Sequence, residues 1–511
     1  MLKKNILIYL CAFFCFFLSS CSPINSGKKF DSITNDFFTS ELSSNSLNLH
    51  YTLSNPKKYN ISQSEFSLGH ISSNQCEKDK KKIKEYLNSL KHINYNSLSK
   101  KQKLDYDVLS DYLLTQLKLY DYYFYQEFLS PSGGIHIELP LLLSEYRFNS
   151  KDDIENYLSI LSIYDKYFEE ISDFEKAKSK QGLFMNDTLC VQVLKECEDF
   201  VDKSKENYLI SSFNKRINDC NFLSSSEKAD YIAKNNDAYN NHVIPAYSQL
   251  IESLINLLGC GRNDGGLCNF KEGKKYYELL VYNQTGCSDS IDKINSLITD
   301  SRKESLNQMK KLLSKSSDLA HKCENYEWKY SDENDMIDTL KTNINNDFPK
   351  ICDCKCNVCF VDKSLSDSLA PAFYITAPID DYFDNYIYIN DAKNYSSIKY
   401  FTTLAHEGFP GHLYQTVMSY NYGLSPFRTL LNYGGFTEGW ATYSEMLSYH
   451  YAGLEEDVAN YLQLNQEATL SLYASSDIGI HYYGWDFKDM CKLWNEFGKF
   501  LNRTISYCSR M

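Results

Sequence analysis

The stretch TTLAHEGFPGHLYQ, residues 402–415, decides what kind of fold to expect, because it begins as an apolar helix and then interrupts it. His406 and His412 are separated by six residues, whereas the two histidines of an ordinary zinc helix lie one turn apart. At about 100° per residue, His412 is rotated about 240° from His406 on a straight helix. Pro410 breaks the helical hydrogen-bond ladder and Gly411 permits unusual backbone angles. We therefore expect two helices joined by a bulge that lets both imidazoles face one metal ion.

A third candidate ligand lies in FTEGWATYSE, residues 436–445. A catalytic zinc site takes three protein ligands and leaves the fourth position to water. Glu438 follows His412 by 26 residues, a separation that suits a second helix packed antiparallel to the first. Glu445 lies on the same face seven residues later, where it is expected to orient a ligand histidine. Glu407 is the candidate general base on a metal-activated water. The pattern predicts one Zn²⁺ per chain and hydrolysis of peptide bonds, with the metal on His406, His412 and Glu438.

Each of these residues has an ordinary structural interpretation when taken singly: a capping Glu, a His bonded inside the core, a proline in a turn. Their joint occurrence favours the metal site. A further histidine stands in SSDIGIHYYGW, residues 475–485. We expect His481 to donate a hydrogen bond to the oxyanion of a tetrahedral intermediate, and the alternative is a core histidine bonded to Asp477. Tyr482 and Tyr483 are weaker candidates for the same role.

The rest of the chain predicts a mainly α fold with a small β-sheet (α+β), in a large helical architecture like that of zinc metallopeptidases. Apolar residues recur at helical spacing over residues 80–125, 152–203 and 226–258. The clearest β-rich runs are Ala372–Thr376 and Tyr386–Asn390.

Two Gly-rich segments are predicted to be loops, residues 130–140 and 259–270. An edge strand such as Tyr386–Asn390 could pair with an extended peptide backbone.

The N-terminus has the features of a lipoprotein signal peptide. Lys3 and Lys4 precede an apolar run from Ile6 to Leu18, and the sequence LSSC ends at Cys21, the expected acylation site. An ordinary cleaved signal and an uncleaved anchor are the alternatives. The expected organisation is a signal peptide at 1–20, a lipidated tether at 21–45, and one large metallopeptidase-like domain at 46–511 with its catalytic region at 370–490. The chain would then be exported and lipid-anchored to the outer face of the bacterial cytoplasmic membrane, at the cell surface.

Cysteine content and charge agree with export and exclude one class of partner. Cys11 and Cys15 leave with the signal peptide and Cys21 takes the lipid, so fourteen of the seventeen cysteines remain, an even number. We expect disulfides, including a bridge between Cys260 and Cys268. The cluster CDCKCNVC at residues 352–359 could instead be a thiolate metal site, although its spacing is unlike that of structural zinc sites. The net charge of -13 argues against nucleic acid as a partner.

The segments LAHEGFPGHLYQ, FTEGWATYSEML and SDIGIHYYGW together resemble the bacterial family called domain of unknown function 885, whose members resemble gluzincin metallopeptidases. The segments LSPSGG, LCNFKEGKKYYELLV and LAPAFYITAP stand in the order that the family leads one to expect. The wide His pair is also similar to that of dipeptidyl peptidase III. The resemblance implies a mostly helical fold with a small sheet, Glu407 as the base, His481 near the substrate, and zinc on His406, His412 and Glu438.

Two departures from the family pattern bear on activity. Tyr473 stands where members commonly have an Arg four residues before the Asp of the DxGxH segment, and the chain stops at Met511 where members usually continue through another helical stretch. Both predict reduced turnover. Two further functions therefore stay open: a cell-surface binding lipoprotein that has lost catalysis, and a zinc amidohydrolase that acts on small molecules other than peptides. Nothing in the sequence indicates the oligomeric state.

Overall fold

The computed structural model describes eight stretches of the chain, with residue ranges 26–62, 65–131, 133–202, 207–316, 318–361, 371–390, 397–431 and 433–508. The predicted signal peptide at residues 1–20 and the predicted acylation site Cys21 lie outside the described residues.

The first helix begins within the predicted tether. Helix α1 (Ser26–Ser43) buries Phe30, Phe37 and Phe38, which recur at helical spacing and so form one apolar face. This face packs against the short 3₁₀ helix Pro426–Leu430 from the far end of the chain. The predicted tether over residues 21–45 is therefore a packed helix from Ser26 to Ser43, because its aromatic residues contact a surface distant in sequence.

Three more helices complete this N-terminal layer. Asn45 caps the helix that begins at Ser46, its side-chain oxygen accepting hydrogen bonds from the backbone N–H groups of Leu47 and Asn48, each at 3.0 Å. Ser99 and Gln102 form a reciprocal capping box at the start of the fourth. The helices are α2 (Ser46–Thr52), α3 (Ser73–Lys91) and α4 (Lys100–Leu119), and 3₁₀ turns lie at Pro56–Tyr59, Tyr95–Ser97 and Tyr120–Tyr125.

Seven helices then surround the largest hydrophobic cluster, which includes the fully buried Tyr157, Phe168 and Tyr247. All of them except α5 fall within the regions predicted to be helical or directly beside them, so those helical predictions are confirmed. The helices are α5 (Ile135–Ser144), α6 (Lys151–Leu161), α7 (Tyr164–Lys180), α8 (Asp187–Asp202), α9 (Tyr208–Asp219), α10 (Ser225–Ala238) and, after a π turn at Tyr239–Val243, α11 (Ile244–Ile255).

Helix α5 corrects the loop predicted for residues 130–140. It contains Pro140 in its interior, where a proline cannot donate the usual hydrogen bond to the carbonyl of His136. The hydroxyl of Tyr247, from α11, donates to that carbonyl instead. A partner 111 residues away in sequence thus satisfies the group that proline leaves unpaired.

Four helices connect this body to the sheet. The longest of them, α13, packs along a later helix, Glu456–Ile478. The predicted loop at residues 259–270 is confirmed apart from a 3₁₀ turn at Leu267–Asn269. The four helices are α12 (Gly273–Thr285), α13 (Ile291–Lys315), α14 (Leu319–Glu324) and α15 (Glu333–Asn343), and a 3₁₀ turn follows at Ile344–Asn346.

The sheet has three strands in the order β1-β3-β2, namely β1 (Lys355–Phe360), β2 (Ala372–Ile375) and β3 (Asp384–Ile389). Strand β3 is parallel to β1 and antiparallel to β2. Both predicted β-rich runs are strands, whereas β1 was not predicted. Since β3 is the central strand, the expectation of an edge strand at residues 386–390 is wrong, and β1 and β2 are the two edge strands of this sheet.

Five helices follow the sheet: α16 (Ser397–Glu407), α17 (His412–Asn421), α18 (Gly434–Ser448), α19 (Glu456–Ile478) and, after a π turn at Gly479–Tyr483, α20 (Phe487–Cys508). Helix α16 covers one face of the sheet, where Phe401 and Leu404 pack in the same cluster as Ile387 and Ile389 of β3. The architecture is mainly helical with one small sheet, as predicted.

The thirteen cysteines from Cys76 to Cys491 whose side chains the structure describes are unpaired, so the prediction of disulfides is wrong for these residues, including the bridge between Cys260 and Cys268. Several are buried helix residues that act as small apolar side chains, such as Cys190 and Cys197. Among the residues that the structure describes, no helix combines the length and apolar character needed to cross a bilayer.

Candidate metal centre

The helix is interrupted between α16 and α17, over residues 408–411. Helix α16 ends at Glu407 and α17 begins at His412, while the Phe409–Pro410 peptide is cis. The N–H of Gly411 donates to the Ala405 carbonyl at 2.9 Å. A Cβ atom on Gly411 would lie 1.8 Å from the His406 carbonyl oxygen and would clash with it. Only glycine, which has no Cβ, fits at this position. The interruption predicted from Pro410 and Gly411 is confirmed.

The interruption brings the three candidate ligands together. The Nε2 atoms of His406 and His412 each lie 3.5 Å from a different carboxylate oxygen of Glu438. The two imidazole rings are nearly perpendicular, at 87°, with centroids 4.8 Å apart. One donor atom from each residue lies within 4.8 Å of the other two.

This donor set fits zinc. Two imidazole nitrogens and one carboxylate oxygen are the ligands of many catalytic zinc sites. With metal–ligand bonds of about 2.0–2.1 Å in a tetrahedral site, neighbouring donors would stand about 3.3 Å apart. The two His–Glu438 distances of 3.5 Å are close to that value.

Helix α18 supplies Glu438 from the opposite direction. Glu438 lies beside the interruption, and Glu445, two turns later, lies 3.1 Å from Lys399 near the start of α16. The two helices are therefore antiparallel, as predicted. Trp440 fixes their junction, since its indole N–H donates to the Pro410 carbonyl at 2.7 Å.

Glu445 lies on the far side of His406 from Glu438. Its buried carboxylate is 3.5 Å from His406 Nδ1 and accepts hydrogen bonds from Lys399 at 3.1 Å and from Gln466 at 3.3 Å. Burial by itself raises the pKa of Glu445, but His406 and Lys399 outweigh burial and lower it. A charged Glu445 holds the Nδ1–H tautomer of His406 and leaves Nε2 free to bind a metal.

Glu407 is not one of the three donors, and its carboxylate bonds to the sheet. Its carboxylate accepts a hydrogen bond from the backbone N–H of Tyr374, in β2, at 3.0 Å. Burial raises the pKa of Glu407, and His406 and His412 reduce that effect. A carboxylate with a raised pKa accepts and returns a proton near neutral pH more readily than an ordinary one.

The electrostatics of the three donors favour a cation among them. Hydrogen bonds with His406 and then His412 hold the pKa of Glu438 well below its usual range. Burial by itself would lower the pKa of His406, but contacts with Glu438 and Glu445 outweigh burial and raise it to about 9. The carboxylates of Glu438 and Glu445 thus stabilise a positive charge at His406. The same negative surroundings would stabilise a bound metal cation.

The structure does not join His481 to these donors. The described contacts of His481 are a hydrogen bond from the Leu267 N–H at 3.3 Å, a stacked Tyr277 ring and Asp477 at 3.9 Å. Asp477 also accepts a hydrogen bond from the Tyr277 hydroxyl. His481 lines a separate cavity of about 420 Å³ together with Glu127 and other residues. Its role near a substrate stays a prediction.

Tyr473, the departure from the family pattern, is exposed and meets the edge of the Trp494 ring, with centroids 5.0 Å apart. Three residues that support the centre were not predicted from the sequence: Lys399, Tyr374 and Gln466. Lys399 could have been found, since it precedes His406 by seven residues and so shares its helix face. The other two come from elements distant in sequence and carry no local signal.

Solved structures of low sequence identity share the fold. A candidate lipoprotein from Colwellia psychrerythraea superposes with a TM-score of 0.81 at 17% identity, covering 95% of this chain and 89% of its own. A candidate lipoprotein of unknown function from Shewanella oneidensis gives a TM-score of 0.55 at 14% identity, covering 94% of this chain and 91% of its own. No curated protein matches the sequence.

The sequence profile of one protein family matches residues 60–498, a range that includes all three candidate ligands and Glu407. The family is described as "Bacterial protein of unknown function (DUF885)". Since the match covers most of the chain and agrees with the motifs at the metal centre, this protein belongs to the DUF885 family of bacterial proteins.

Proposed function

We propose that this protein is a zinc-dependent peptidase. The observation that carries the proposal is the convergence of His406, His412 and Glu438, with Glu407 held beside them at the edge of the sheet. Two nitrogens, one oxygen and an adjacent carboxylate with a raised pKa form the set of groups that metal-assisted hydrolysis requires.

His406, His412 and Glu438 would hold one zinc ion, and Glu445 would orient His406. A zinc ion bound there acts as a Lewis acid toward a carbonyl group and makes water more acidic. Glu407 then accepts the proton of the attacking water and delivers it to the departing amine, which is the role of a general base that becomes a general acid. The Tyr374 N–H keeps the Glu407 carboxylate turned toward the sheet edge during both steps.

The outer edge of β2, an edge strand of the sheet, supports a peptide as the substrate. The Asn390 N–H donates to the Pro371 carbonyl at 2.9 Å, which sets the register of the β2–β3 pair. Because only alternate residues of an antiparallel strand bond to one neighbour, the backbone groups of Ala372 and Tyr374 point away from β3. An extended peptide that pairs with this edge would lie beside Glu407.

We also propose that the protein is a lipoprotein anchored at Cys21 to the outer face of the cytoplasmic membrane. The two solved structures of the same fold are described as candidate lipoproteins, and the LSSC sequence supports lipidation. Only residues 22–25 separate Cys21 from α1. Since each residue spans at most about 3.5 Å, the helical body would lie within roughly 20 Å of the membrane surface.

Metal analysis tests the site. We expect the soluble form that starts at residue 22 to hold about one zinc per chain and the variants His412→Ala and Glu438→Ala to lose it. His92→Ala, which removes an exposed histidine on another surface, is the matched control and should keep the metal. Equal zinc content in all four proteins would refute the site.

A peptide-library digest tests the reaction. The wild type should cleave peptides, whereas Glu407→Gln should bind zinc normally and cleave at least about a hundredfold more slowly. Zinc binding without cleavage of any peptide would support the amidohydrolase alternative. Absence of stoichiometric zinc from the wild type, together with a function that Glu407→Gln leaves intact, would support a binding lipoprotein.

A further inference from the structure

A cavity of about 530 Å³ adjoins the metal centre. Two of its lining residues are direct neighbours of the ligands: Gln415 lies one turn after His412, and Thr437 immediately precedes Glu438. Other lining residues come from α4, the end of α12, α17 and the 3₁₀ helix Pro426–Leu430. A substrate group next to the cleaved bond would therefore reach this cavity.

Arg428 is the one cation among the described lining residues of this cavity. Its side chain is 22% exposed. Within the described chain, its guanidinium makes no hydrogen bond. Its charged contact is with Asp105, at 3.7 Å, which is beyond hydrogen-bond range. The guanidinium therefore faces the cavity with its donors unused, although a planar pair of N–H groups is well suited to a carboxylate.

Asp105 holds Arg428 in place but leaves the guanidinium N–H groups without a hydrogen bond to it. Asp105 is buried, and one of its oxygens accepts a hydrogen bond from Ser425 at 2.5 Å while the other has no hydrogen-bond partner. A buried carboxylate requires a nearby positive charge, so Asp105 fixes the position of Arg428.

The acidic residues of the cavity are already bonded. Asp111 accepts hydrogen bonds from the hydroxyls of Tyr282 at 2.5 Å and Tyr433 at 3.5 Å. Asp107 accepts one from Tyr95 at 2.8 Å. These two acids therefore already take part in hydrogen bonds with tyrosines, and Arg428 is the charged donor among the described lining residues.

We propose that Arg428 binds a carboxylate of the substrate and makes this protein selective for peptides that carry one near the cleaved bond. The inference rests on the proposed peptidase function and adds a substrate class to it. The carboxylate is either the C-terminus of the peptide or the side chain of an Asp or Glu residue, since both present the same pair of oxygens to a guanidinium.

Binding to the zinc-loaded Glu407→Gln protein tests the inference without turnover. The probes are N-acetyl-tetraalanine as the free acid, the same peptide as its C-terminal amide, and amides in which each alanine in turn is glutamate. Calorimetry should show the free acid, or one of the glutamate peptides, binding about tenfold or more tightly than the neutral amide, as a charge-assisted pair predicts. Preference for the free acid identifies a C-terminal carboxylate, and preference for a glutamate amide identifies a side chain.

A neutral pair of substitutions, Asp105→Asn with Arg428→Gln, should abolish that preference while leaving the zinc content unchanged. The pair is changed together because removing Arg428 alone would leave a buried charge and endanger folding. Arg147→Gln is the matched control, since Arg147 lines a different cavity on the other side of the sheet, and it should keep the preference.

Equal affinity for acid and neutral peptides, no binding of any carboxylate peptide, or a preference that survives the double substitution would overturn the inference. Failure of the proposed peptidase function is a separate result, because it appears as an absence of cleavage by the wild-type protein. If the protein preferred carboxylate peptides in an Arg428-dependent way but cleaved none, the carboxylate site would be supported and the peptidase function refuted.

Discussion

Gly411→Ala should disrupt the metal centre although residue 411 donates no ligand atom. A Cβ at this position would lie 1.8 Å from the His406 carbonyl oxygen and 2.4 Å from that of Ala405, whereas real Cβ atoms essentially never approach closer than 3.0 Å. The backbone must therefore move by about 1 Å or more, and His412 is the next residue along. Metal–ligand bonds tolerate errors of only about 0.2 Å.

Two quantities should change together. Zinc affinity should fall by more than about tenfold, since even residues that merely orient a ligand cost 10- to 100-fold when they are changed. The free energy of unfolding should fall by about 1–3 kcal/mol, as for other overpacking substitutions. Zinc titration and urea unfolding of the apo and zinc-loaded proteins measure the two effects.

Gly439→Ala is the matched control. Gly439 is adjacent to Glu438 within helix α18, and a Cβ there would meet nothing within 4 Å. This substitution should leave zinc affinity unchanged and stabilise the protein by about 0.5–1 kcal/mol, because alanine favours the helix over glycine. If Gly411→Ala bound zinc as tightly as Gly439→Ala, the steric reasoning would be refuted.

Three further predictions concern other parts of the structure. Glu445→Ala should weaken zinc binding about 10- to 100-fold, because His406 loses the carboxylate that orients it; a zinc titration measures this. Phe401→Ala should cost about 3–5 kcal/mol in urea unfolding, since its side chain is fully buried between α16 and the sheet. His50→Gln should make the protein less sensitive to acid. Burial, with smaller contributions from Arg147 and Arg216, lowers the pKa of His50 to about 3.

The sign of the His50 effect follows from that lowered pKa. Because the unfolded state binds the proton first, the neutral ring contributes stability above pH 6.5, and this stability is lost as the pH falls toward 3. The slope is at most about 1.4 kcal/mol per pH unit. Urea unfolding at pH 7 and pH 5 should show a smaller loss in His50→Gln than in the wild type, and an equal loss would contradict the assignment.

Each of the other two predictions has a control close by. Gln466→Ala removes one hydrogen bond to Glu445 and should weaken zinc binding less than Glu445→Ala does. Phe360→Ala removes an exposed ring at the end of β1 and should change the stability by less than about 1 kcal/mol. If Gln466→Ala weakened zinc binding more than Glu445→Ala, contact with His406 would not govern zinc affinity. If Phe360→Ala destabilised the protein more than Phe401→Ala, burial would not govern the loss of stability.

The features predicted well are those whose cause is local. Helical spacing of apolar residues located most of the helices, and alternation located β2 and β3. Pro410 and Gly411 predicted where the helix breaks, because proline and glycine alter the backbone whatever surrounds them. Glu438 and Glu445 were assigned to one face from a spacing of seven residues, which is two helical turns.

The wrong predictions share one physical cause, which is a contact with a residue or strand distant in sequence. The aromatic face of α1 was assigned to a tether because the 3₁₀ helix Pro426–Leu430, which covers this face, lies far away in sequence. Pro140 was assigned to a loop because the sequence does not show that Tyr247 donates to the carbonyl that proline leaves unpaired. Strand β3 reads as an edge until β1, which has no clear strand pattern of its own, pairs with it.

The sequence by itself determined the mainly helical fold, the family and the three candidate ligands, because those follow from spacing along a single helix or from a motif within a few residues. Only the tertiary structure decided what surrounds them. It placed Tyr374 against Glu407, separated His481 from the three donors, and brought Asp105 beside Arg428 at the cavity. Such contacts join residues tens to hundreds of positions apart, and they arise when buried charges and apolar faces find partners in the folded chain.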